Sequence, residues 1–269
     1  MKKINVGAVM YSPQVKVVWD IIADYFREGG IEINNIFFSN YKDQVDYLVE
    51  GKIDIAWNSP LAQVMAEIKS NGECGYSYMR DTDRDRRTVF IVRKDSNFKS
   101  IADLKGKNIG FGAFDSPQSR LIPIEYLRKN GLEFGKDYIE TQFNIGVGLH
   151  GDHEGGEKDA LIALVNGEVD ASLTMDKNWD SWVASGIIDP NVVEKLDLTD
   201  PYDHCIFTVR KGFDPELLKE WEELLSKMDY NNPEHKEMMD LEGLKKWVDG
   251  RLEGFEQVRR AIKYVGFEE

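Results

Sequence analysis

Hydrophobic runs and amphipathic stretches alternate along most of the chain. The segment KINVGAVMY is apolar enough for a buried strand, and residues 13–29 then show the spacing of an amphipathic helix that ends at two glycines. The alternation continues through IEINNIFFS, a helix over 42–50 and IDIAWNS, and it returns in KNIGFGAF, YIETQFNIG and VDASLTM. This succession predicts an α/β fold with mostly parallel sheets that are flanked by helices.

Three of the predicted strands lead into Ser-Pro. The triplets are Tyr11-Ser12-Pro13, Asn58-Ser59-Pro60 and Asp115-Ser116-Pro117. Serine is a favoured N-cap and proline suits the first helical position, so each triplet predicts a strand that leads directly into a capped helix. Helix N-termini attract anions, and ligands of α/β folds bind beyond the carboxyl ends of the strands, so the triplets predict an anion site. The alternative is that Ser-Pro is ordinary helix-start chemistry.

Two similar apolar segments divide the chain. TVFIVRKDS begins at Thr88, and CIFTVRKGF begins at Cys205. Because a complete α/β region lies between them, we interpret them as crossover strands that join two lobes. We assign residues 1–88 and 206–269 to the first lobe and residues 89–205 to the second. The helical tail is expected to pack on the first lobe. The alternative is that Val-Arg-Lys is a commonplace string at strand ends.

Composition narrows the class of partner. The chain has 269 residues, of which 42% are hydrophobic, enough for two lobes with a core each. The formal charge of −14 argues against nucleic acid and anionic membranes as partners, since both attract clustered Lys and Arg. No apolar stretch is long enough to predict a transmembrane segment. Cys74 and Cys205 are too few for a disulfide framework or a cysteine metal site, and a single bridge between them stays open.

The amino terminus leaves the compartment open. Met1 is followed by two lysines and a short apolar run, without the apolar core and cleavage site of a signal peptide. Two expectations follow. Either the protein is cytoplasmic and starts at Met1, or it is exported, periplasmic or lipid-anchored, and its leader was removed.

Several longer strings resemble one protein family. They are SNYKDQVDYLVEGKIDIAWNSPLA, TVFIVRKDSNFKSIADLKGK, FKSIADLKGKNIGFGAFDSPQSRLIP, ALIALVNGEVDAS and DPYDHCIFTVRKGFDPELL. Together they resemble the phosphate, phosphite and phosphonate substrate-binding proteins of ABC transporters. The resemblance implies a type II periplasmic-binding-protein fold, in which two α/β lobes joined by two hinge strands close on a ligand in the cleft between them. It also implies a monomer without a cofactor that delivers a small anion to an ABC permease.

The resemblance implies ligand contacts at specific positions. In the family, a hydroxyl-rich run at a helix start and a tyrosine after the second strand hold the phosphonate oxygens, and Ser116 and Tyr41 match these positions. Pro117 and Gln118 replace two hydroxyl residues of that run, so Ser119 supplies the second hydroxyl.

Two cations change the expected ligand. Arg86 stands where the family has a second aromatic residue, and Lys177 lies nearest the position of an acid that aminophosphonate binders use. These changes argue against 2-aminoethylphosphonate. They favour a ligand with a second negative group, or a carboxylate or sulfonate, because an arginine can hold such a group bidentately. The alternatives are that Arg86 belongs to a solvated charge run and that Lys177 is a surface lysine beside Asp176.

Histidines and aromatic residues complete the candidate site. The family loop carries a ligand-facing histidine, so His150 or His153 is expected to contact the ligand, and a metal site on this loop is the less favoured alternative. His204 precedes the second hinge strand and is expected to face the ligand, and Trp57 is a candidate pocket wall. The predicted ligand-binding residues are Tyr11, Ser12, Tyr41, Trp57, Asn58, Ser59, Arg86, Ser116, Gln118, Ser119, His150, His153, Lys177 and His204.

Catalysis is not the favoured interpretation. His204 and Cys205 suggest a nucleophilic dyad, but neighbours on a strand point to opposite faces, so we do not expect them to serve one site. No recognised catalytic motif is present, and we expect no catalytic residue, no metal and no cofactor. The prediction is a protein that binds a small anionic ligand. A cytosolic enzyme or ligand sensor with the same fold, acting on a small organic acid, is the alternative.

Overall fold

The computed structural model describes residues 1–153 and 155–268. The strands are β1 (Lys2–Val9), β2 (Ile31–Phe38), β3 (Ile55–Asn58), β4 (Gly75–Tyr76), β5 (Tyr78–Arg80), β6 (Thr88–Arg93), β7 (Asn108–Phe111), β8 (Ile139–Gln142), β9 (Ala171–Met175), β10 (Val193–Leu198), β11 (Ile206–Val209) and β12 (Trp247–Asp249). The α-helices are α1 (Pro13–Glu28), α2 (Tyr41–Val49), α3 (Pro60–Lys69), α4 (Ile122–Lys129), α5 (Gly155–Val165), α6 (Asp176–Ala184), α7 (Pro215–Lys227), α8 (Pro233–Glu242) and α9 (Glu256–Val265). The predicted α/β alternation is confirmed from β1 to α3 and from β7 to β9.

The chain divides into two units. The first contains Met1–Arg84 and Asp203–Gly254, and the second contains Asp85–Tyr202 and the segment that begins at Phe255. Along the described residues, the chain therefore passes between the units three times, whereas the prediction had two crossings. The two segments predicted as hinge strands form β6 and β11, and each is an internal strand of one unit's own sheet.

The first unit is built on a mixed sheet in the order β2-β1-β3-β11-β4. Strand β1 runs parallel to β2 and β3, and β11 runs antiparallel to β3. Helix α1 buries one face against this sheet because its apolar residues recur at helical spacing, as in Val15, Trp19, Ile22 and Phe26. Strands β5 and β12 form a separate antiparallel pair.

The second unit is built on a sheet in the order β8-β7-β9-β6-β10. Strand β7 runs parallel to β8 and β9, whereas β6 runs antiparallel to β9 and β10. Its core includes Phe90, Phe111 and Ile124, which are fully buried. In each sheet four strands therefore run in the same direction, and one internal strand, β11 in the first unit and β6 in the second, runs opposite to them.

The carboxyl-terminal segment differs from the predicted arrangement. Residues 206–254 lie in the first unit, but the segment from Phe255 lies in the second. Helix α9 is held there because Arg260 Nε donates to Glu125 Oε1 of α4 at 2.9 Å and Gln257 Nε2 donates to the Pro201 carbonyl at 2.9 Å. The segment that follows β11 therefore contributes residues to both units. No described helix is long and apolar enough to span a bilayer.

Candidate functional site

In both units the parallel strands end at one edge of the sheet, and the antiparallel neighbour begins there. Ile206 of β11 pairs with Asn58 at the end of β3, and Thr88 of β6 pairs with Met175 at the end of β9. We call residues 10–12, 39–41, 58–59 and 203–205 the first edge. Residues 86–87, 112–119, 143–153 and 175–177 form the second edge. Thirteen of the fourteen predicted ligand-binding residues lie on these edges, and Trp57 directly precedes the first edge.

A buried polar network lies beneath the first edge. Gln44 Nε2 donates to Asn58 Oδ1 at 2.8 Å, and Asn58 Nδ2 donates to Thr208 Oγ1 at 2.7 Å. Thr208 Oγ1 in turn donates to Gln63 Oε1 at 2.6 Å. All four side chains are buried, so each bond satisfies a polar group that would otherwise be desolvated without compensation. The amide of Asn58 therefore fixes β3 between helices and strand β11.

Trp57 and Ser59, two further candidates of the first unit, are buried and contact other residues of that unit. The Trp57 ring lies 4.6 Å from the Phe207 ring and 5.8 Å from the Trp247 ring, within the hydrophobic core. Ser59 caps α3, because its Oγ accepts a bond from the Ala62 N–H at 3.1 Å. These ring contacts of Trp57 are therefore core packing, and the described side-chain bond of Ser59 is a helix cap.

The first helix start of this unit is more open. Tyr11 is exposed and Ser12 is half-buried, whereas Tyr41 at the start of α2 is buried. Ser12 has extended backbone and Pro13 occupies the first helical position as predicted, but the Ser12 side chain makes no capping bond. Tyr11 and Ser12 are therefore the accessible hydroxyls among the candidates of the first edge.

His204 and Cys205 lie closer together than the sequence predicted. Their Nδ1 and Sγ atoms are 3.1 Å apart, and Asp83 Oδ1 lies 3.7 Å from the same nitrogen. The expectation that the two neighbours point apart was wrong, because they precede β11 in an irregular segment where the strand rule does not apply. Cys205 does not form a disulfide with Cys74.

Arg80 is the positively charged residue that pairs with Asp83 of this cluster. Burial lowers its pKa, but the carboxylates of Asp83 and Glu242 outweigh burial and hold the pKa well above its ordinary value. Arg80 Nε donates to Asp83 Oδ2 at 2.6 Å, and Nη1 donates to Glu242 Oε2 at 2.8 Å. Arg80 is therefore a permanent cation that orients Asp83.

At the second edge, Ser116 and Ser119 form a compact hydroxyl pair. Ser116 Oγ accepts bonds from the Ser119 N–H at 3.2 Å and from the Ser119 hydroxyl at 2.7 Å. Because Ser116 Oγ accepts both bonds, its own O–H remains a donor. Both residues are buried. The helix start thus presents a hydroxyl donor, which is the polarity that an anion requires.

A glycine turn covers this pair. Gly151 has a φ of +81°, and a Cβ at this position would lie 2.3 Å from Ser116 Oγ. Gln118 Nε2 donates to the Gly151 carbonyl at 2.8 Å, which fixes the turn. Gln118 Oε1 is buried and has no hydrogen-bond partner among residues 1–153 and 155–268. Only glycine allows the loop to approach the serines this closely.

Charged residues of the second edge include Arg86, Asp176 and Lys177, and Arg87, Asp115 and Asp152 also lie within its ranges. Arg86 Nη1 lies 3.5 Å from Asp176 Oδ1, and both side chains are about a quarter exposed, at 24% and 26%. Arg86 Nε is buried and makes no hydrogen bond within the described part of the chain. Lys177 is exposed, and its backbone N–H donates to Asp176 Oδ1 at 2.8 Å. Arg86 is therefore held near the edge by one long ion pair.

Glu157 is a buried acid that the sequence prediction missed. Its Oε2 accepts bonds from Thr174 Oγ1 at 2.5 Å, Asn178 Nδ2 at 3.1 Å and the Met175 N–H at 3.3 Å. It therefore links α5 to the end of β9. A carboxylate just before the apolar run ALIALV of α5 was the available signal, but its partners lie 17 to 21 residues away.

The two loop histidines have different environments. His150 is fully buried and has a φ of +50°, whereas His153 is exposed. Tyr202 donates its N–H to the Arg86 carbonyl, and burial raises the pKa of its hydroxyl well above the ordinary value, so the hydroxyl stays neutral, 3.2 Å from Thr88 Oγ1. The second edge thus carries the hydroxyls of Ser116 and Ser119 as well as the ion pair of Arg86 with Asp176.

Comparison with known proteins identifies a family and several relatives. The family of periplasmic substrate-binding proteins of phosphonate ABC transporters matches residues 7–254. A probable phosphite-binding protein of an ABC transporter from Prochlorococcus marinus is 24% identical over 254 residues, which cover 86% of this chain and 78% of the relative.

Solved structures share the fold. The Prochlorococcus marinus protein in complex with methylphosphonate has a TM-score of 0.74 and 18% identity, with 98% of both chains covered. A Xanthomonas citri protein bound to ATP has a TM-score of 0.78 and 17% identity, with 98% of this chain and all of the other covered. The predicted two-lobe type II fold is confirmed. The match is to a family of binding proteins, in agreement with the predicted binding role. The chain, matched over residues 7–254, belongs to the phosphonate substrate-binding proteins of ABC transporters.

Proposed function

We propose that this protein captures a small oxyanion of the phosphonate or phosphite class, acts as a monomer outside the cytoplasmic membrane and delivers its ligand to an ABC permease. Family membership supports the transport role and the compartment. The phosphite named for one relative and the methylphosphonate bound in a similar structure support the ligand class.

Arg86 carries the proposal. Its Nε is a buried donor without a hydrogen-bond partner in the described chain, and its described ion pair, with Asp176, is long at 3.5 Å. A buried guanidinium donor without an acceptor is costly, and an oxyanion would supply two acceptors in the geometry that arginine prefers. The anion is thus expected to bind through Arg86 at the second edge.

Ser116 supplies the second contact in this proposal. Its hydroxyl already accepts two bonds from Ser119, so it can only donate further. Because Ser116 is buried beneath the Gly151 turn, ligand contact requires that turn to shift. The hydrogen bond from Gln118 to the Gly151 carbonyl is the described contact that would have to break.

The charges also define the rest of the ligand. Arg86 and Lys177 lie on the same edge, so an ammonium group next to them would meet like charge. Asp176 offsets part of this field by its pairing with Arg86. We therefore propose a neutral or negative second group, which makes 2-aminoethylphosphonate a poor ligand.

Calorimetry of the full chain with methylphosphonate, phosphite, phosphate, 2-aminoethylphosphonate and ATP tests this proposal. We expect one site per chain, with methylphosphonate or phosphite bound more tightly than 2-aminoethylphosphonate. Absence of heat with every small oxyanion would overturn the ligand class. Tighter binding of 2-aminoethylphosphonate would overturn the role given to the cations.

A matched pair of serine variants tests the site. Ser116→Ala removes the donor and should weaken oxyanion binding by about 1.5–3 kcal/mol, as expected for a hydrogen bond to a charged group. Ser100→Ala also removes a capping serine of the second unit, but Ser100 caps residues 101–104, away from the edge. It should leave affinity unchanged. Equal affinity in both variants would remove Ser116 from the site.

A further inference from the structure

Three side chains that can bind a metal are buried together in the first unit. They are Asp83, His204 and Cys205, which are 3%, 5% and 2% exposed. One ligand atom from each lies within 4.8 Å of the other two. Carboxylate, imidazole and thiolate are all zinc ligands, and the combination of sulfur and nitrogen favours zinc over magnesium or calcium.

The spacing fits a tetrahedral ion. Zinc bonds of about 2.0–2.3 Å at tetrahedral angles place neighbouring ligand atoms about 3.3–3.6 Å apart. His204 Nδ1 lies 3.1 Å from Cys205 Sγ and 3.7 Å from Asp83 Oδ1. Each of these two distances is within about half an ångström of the tetrahedral value. Small side-chain rotations would therefore suffice to bind the ion.

The backbone holds the ligands in this arrangement. The His204 N–H donates to the Asp83 carbonyl at 2.8 Å. Arg80 clamps the Asp83 carboxylate through Nε at 2.6 Å and Nη2 at 2.9 Å. A carboxylate oxygen that accepts one such bond keeps a second lone pair for a metal, and outer-shell partners of this kind orient metal ligands.

Arg80 does not exclude a cation, because two carboxylates already surround it. Arg80 carries one positive charge, and Asp83 and Glu242 carry one negative charge each, so the three side chains sum to one negative charge. A divalent ion bound to the Cys205 thiolate adds one net positive charge. The buried cluster is then neutral, which is the arrangement that a low-dielectric interior favours.

We propose that Asp83, His204 and Cys205 form a zinc site, with water in the fourth position. Asp83 lies just before the chain leaves the first unit after Arg84, and His204 lies just after the chain returns at Asp203. The ion would tie these two segments together. This site shares no residue with the oxyanion contacts proposed at the second edge, and no metal was expected from the sequence.

The test uses the full chain after removal of bound metal by a chelator. Titration with Zn²⁺ should show one equivalent bound per chain, and Co²⁺ should give the charge-transfer absorption of a thiolate ligand. Cys74→Ser is the matched control, because Cys74 is the other cysteine and lies outside the cluster. It should retain both the stoichiometry and the cobalt absorption.

Cys205→Ser should abolish the cobalt–thiolate absorption and weaken zinc binding by more than about 100-fold, since loss of even an outer-shell partner costs 10- to 100-fold. His204→Gln should weaken it similarly, and circular dichroism checks that each variant folds. If neither variant folds, comparison of the unsubstituted chain with Cys74→Ser still decides the question. Absence of stoichiometric zinc, or loss of the cobalt absorption in Cys74→Ser, would overturn the proposal.

Discussion

The two units use one strand plan with different side chains. The orders β2-β1-β3-β11-β4 and β8-β7-β9-β6-β10 place corresponding strands in corresponding positions, with the fourth strand antiparallel in both. Local detail recurs as well. The Asn5 N–H donates to Asp54 Oδ2 at 2.8 Å, and the Asn108 N–H donates to Asp170 Oδ2 at 2.9 Å.

The units differ at the end of the third strand. In the first unit this position holds Asn58 and Ser59, whose side chains bond to the protein interior. In the second unit it holds Met175, Asp176 and Lys177, and Met175 provides no side-chain cap for α6. A shared topology thus gives each edge the equivalent position in its own sheet, while the side chains differ between the two edges.

The largest effect is expected from breaking the network of the first unit. Asn58→Ala leaves Gln44 and Thr208 without their partner in a buried site, so the free energy of unfolding should fall by about 3 kcal/mol. Urea denaturation measures this change. Asn34→Ala removes an exposed amide that donates to Asn5, and it should cost little. Equal losses in the two variants would contradict the structural role of Asn58.

Arg86→Gln tests the charged edge of the second unit. Loss of a charge-assisted bidentate contact should weaken oxyanion binding by about 1.5–3 kcal/mol, measured by calorimetry. Arg93→Gln is the control, because Arg93 lies at the far end of β6, the strand that follows Arg86, and pairs with Asp95. Unchanged affinity in Arg86→Gln would assign ligand binding to other groups.

Glu125→Gln tests the attachment of α9 to the second unit. Burial raises the pKa of Glu125, but hydrogen bonds from Arg128 and Arg260 outweigh burial and hold the pKa below its ordinary value of 4.5. The ionised form therefore stabilises the fold above pH 4.5, and this contribution is lost as the pH falls through the lowered pKa.

At pH 7 the variant should be less stable than the unsubstituted chain by about 1–2 kcal/mol, and the gap should close under acid conditions. Denaturation at several pH values measures this. Glu133→Gln provides the control, because Glu133 is exposed and pairs only with Lys136 among the described salt bridges. A gap that persists unchanged in acid would show that the carboxylate charge is not the cause.

The smallest effect is expected at the arginine of the Val-Arg-Lys string that occurs once in each unit. This arginine is Arg210 in the first unit and Arg93 in the second. Arg210 Nε donates to Asp54 Oδ1 at 2.8 Å in the first unit, with the Asp54 side chain 15% exposed. In the second unit Arg93 instead pairs with Asp95, which is 74% exposed. Arg210→Gln should therefore cost about 0.5–1 kcal/mol and Arg93→Gln close to nothing. Thermal unfolding would show equal shifts if the two pairs were equivalent.

Much of the fold was readable from local patterns, but one predicted helix was not continuous. The segment after Ser116 first forms a π-helix, Pro117–Leu121, before α4 begins. Pro123 has no N–H to donate to the Ser119 carbonyl, and the Gly112 N–H donates to that carbonyl at 3.3 Å instead. Helix α6 was missed because its N-cap is Met175, which gives no capping signal.

Local sequence patterns also predicted part of the candidate site. The positions of Ser116 after β7 and of Arg86 before β6 could be predicted because motif and resemblance mark where strands begin and end, while their role in ligand binding stays a prediction. Glu157 was missed, and so was the contact of His204 with Asp83, because these depend on where the fold brings distant segments together. The rule of alternating strand faces failed at Cys205 because the backbone there is not yet a strand.

A crystal structure of the protein with methylphosphonate tests the central claim most directly. The account predicts that the phosphonate oxygens lie within hydrogen-bond distance of the Arg86 guanidinium and of Ser116 Oγ, with the Gly151 turn displaced from its present contact. A phosphonate bound elsewhere, with the bond from Gln118 to the Gly151 carbonyl intact and Arg86 still on Asp176, would contradict it.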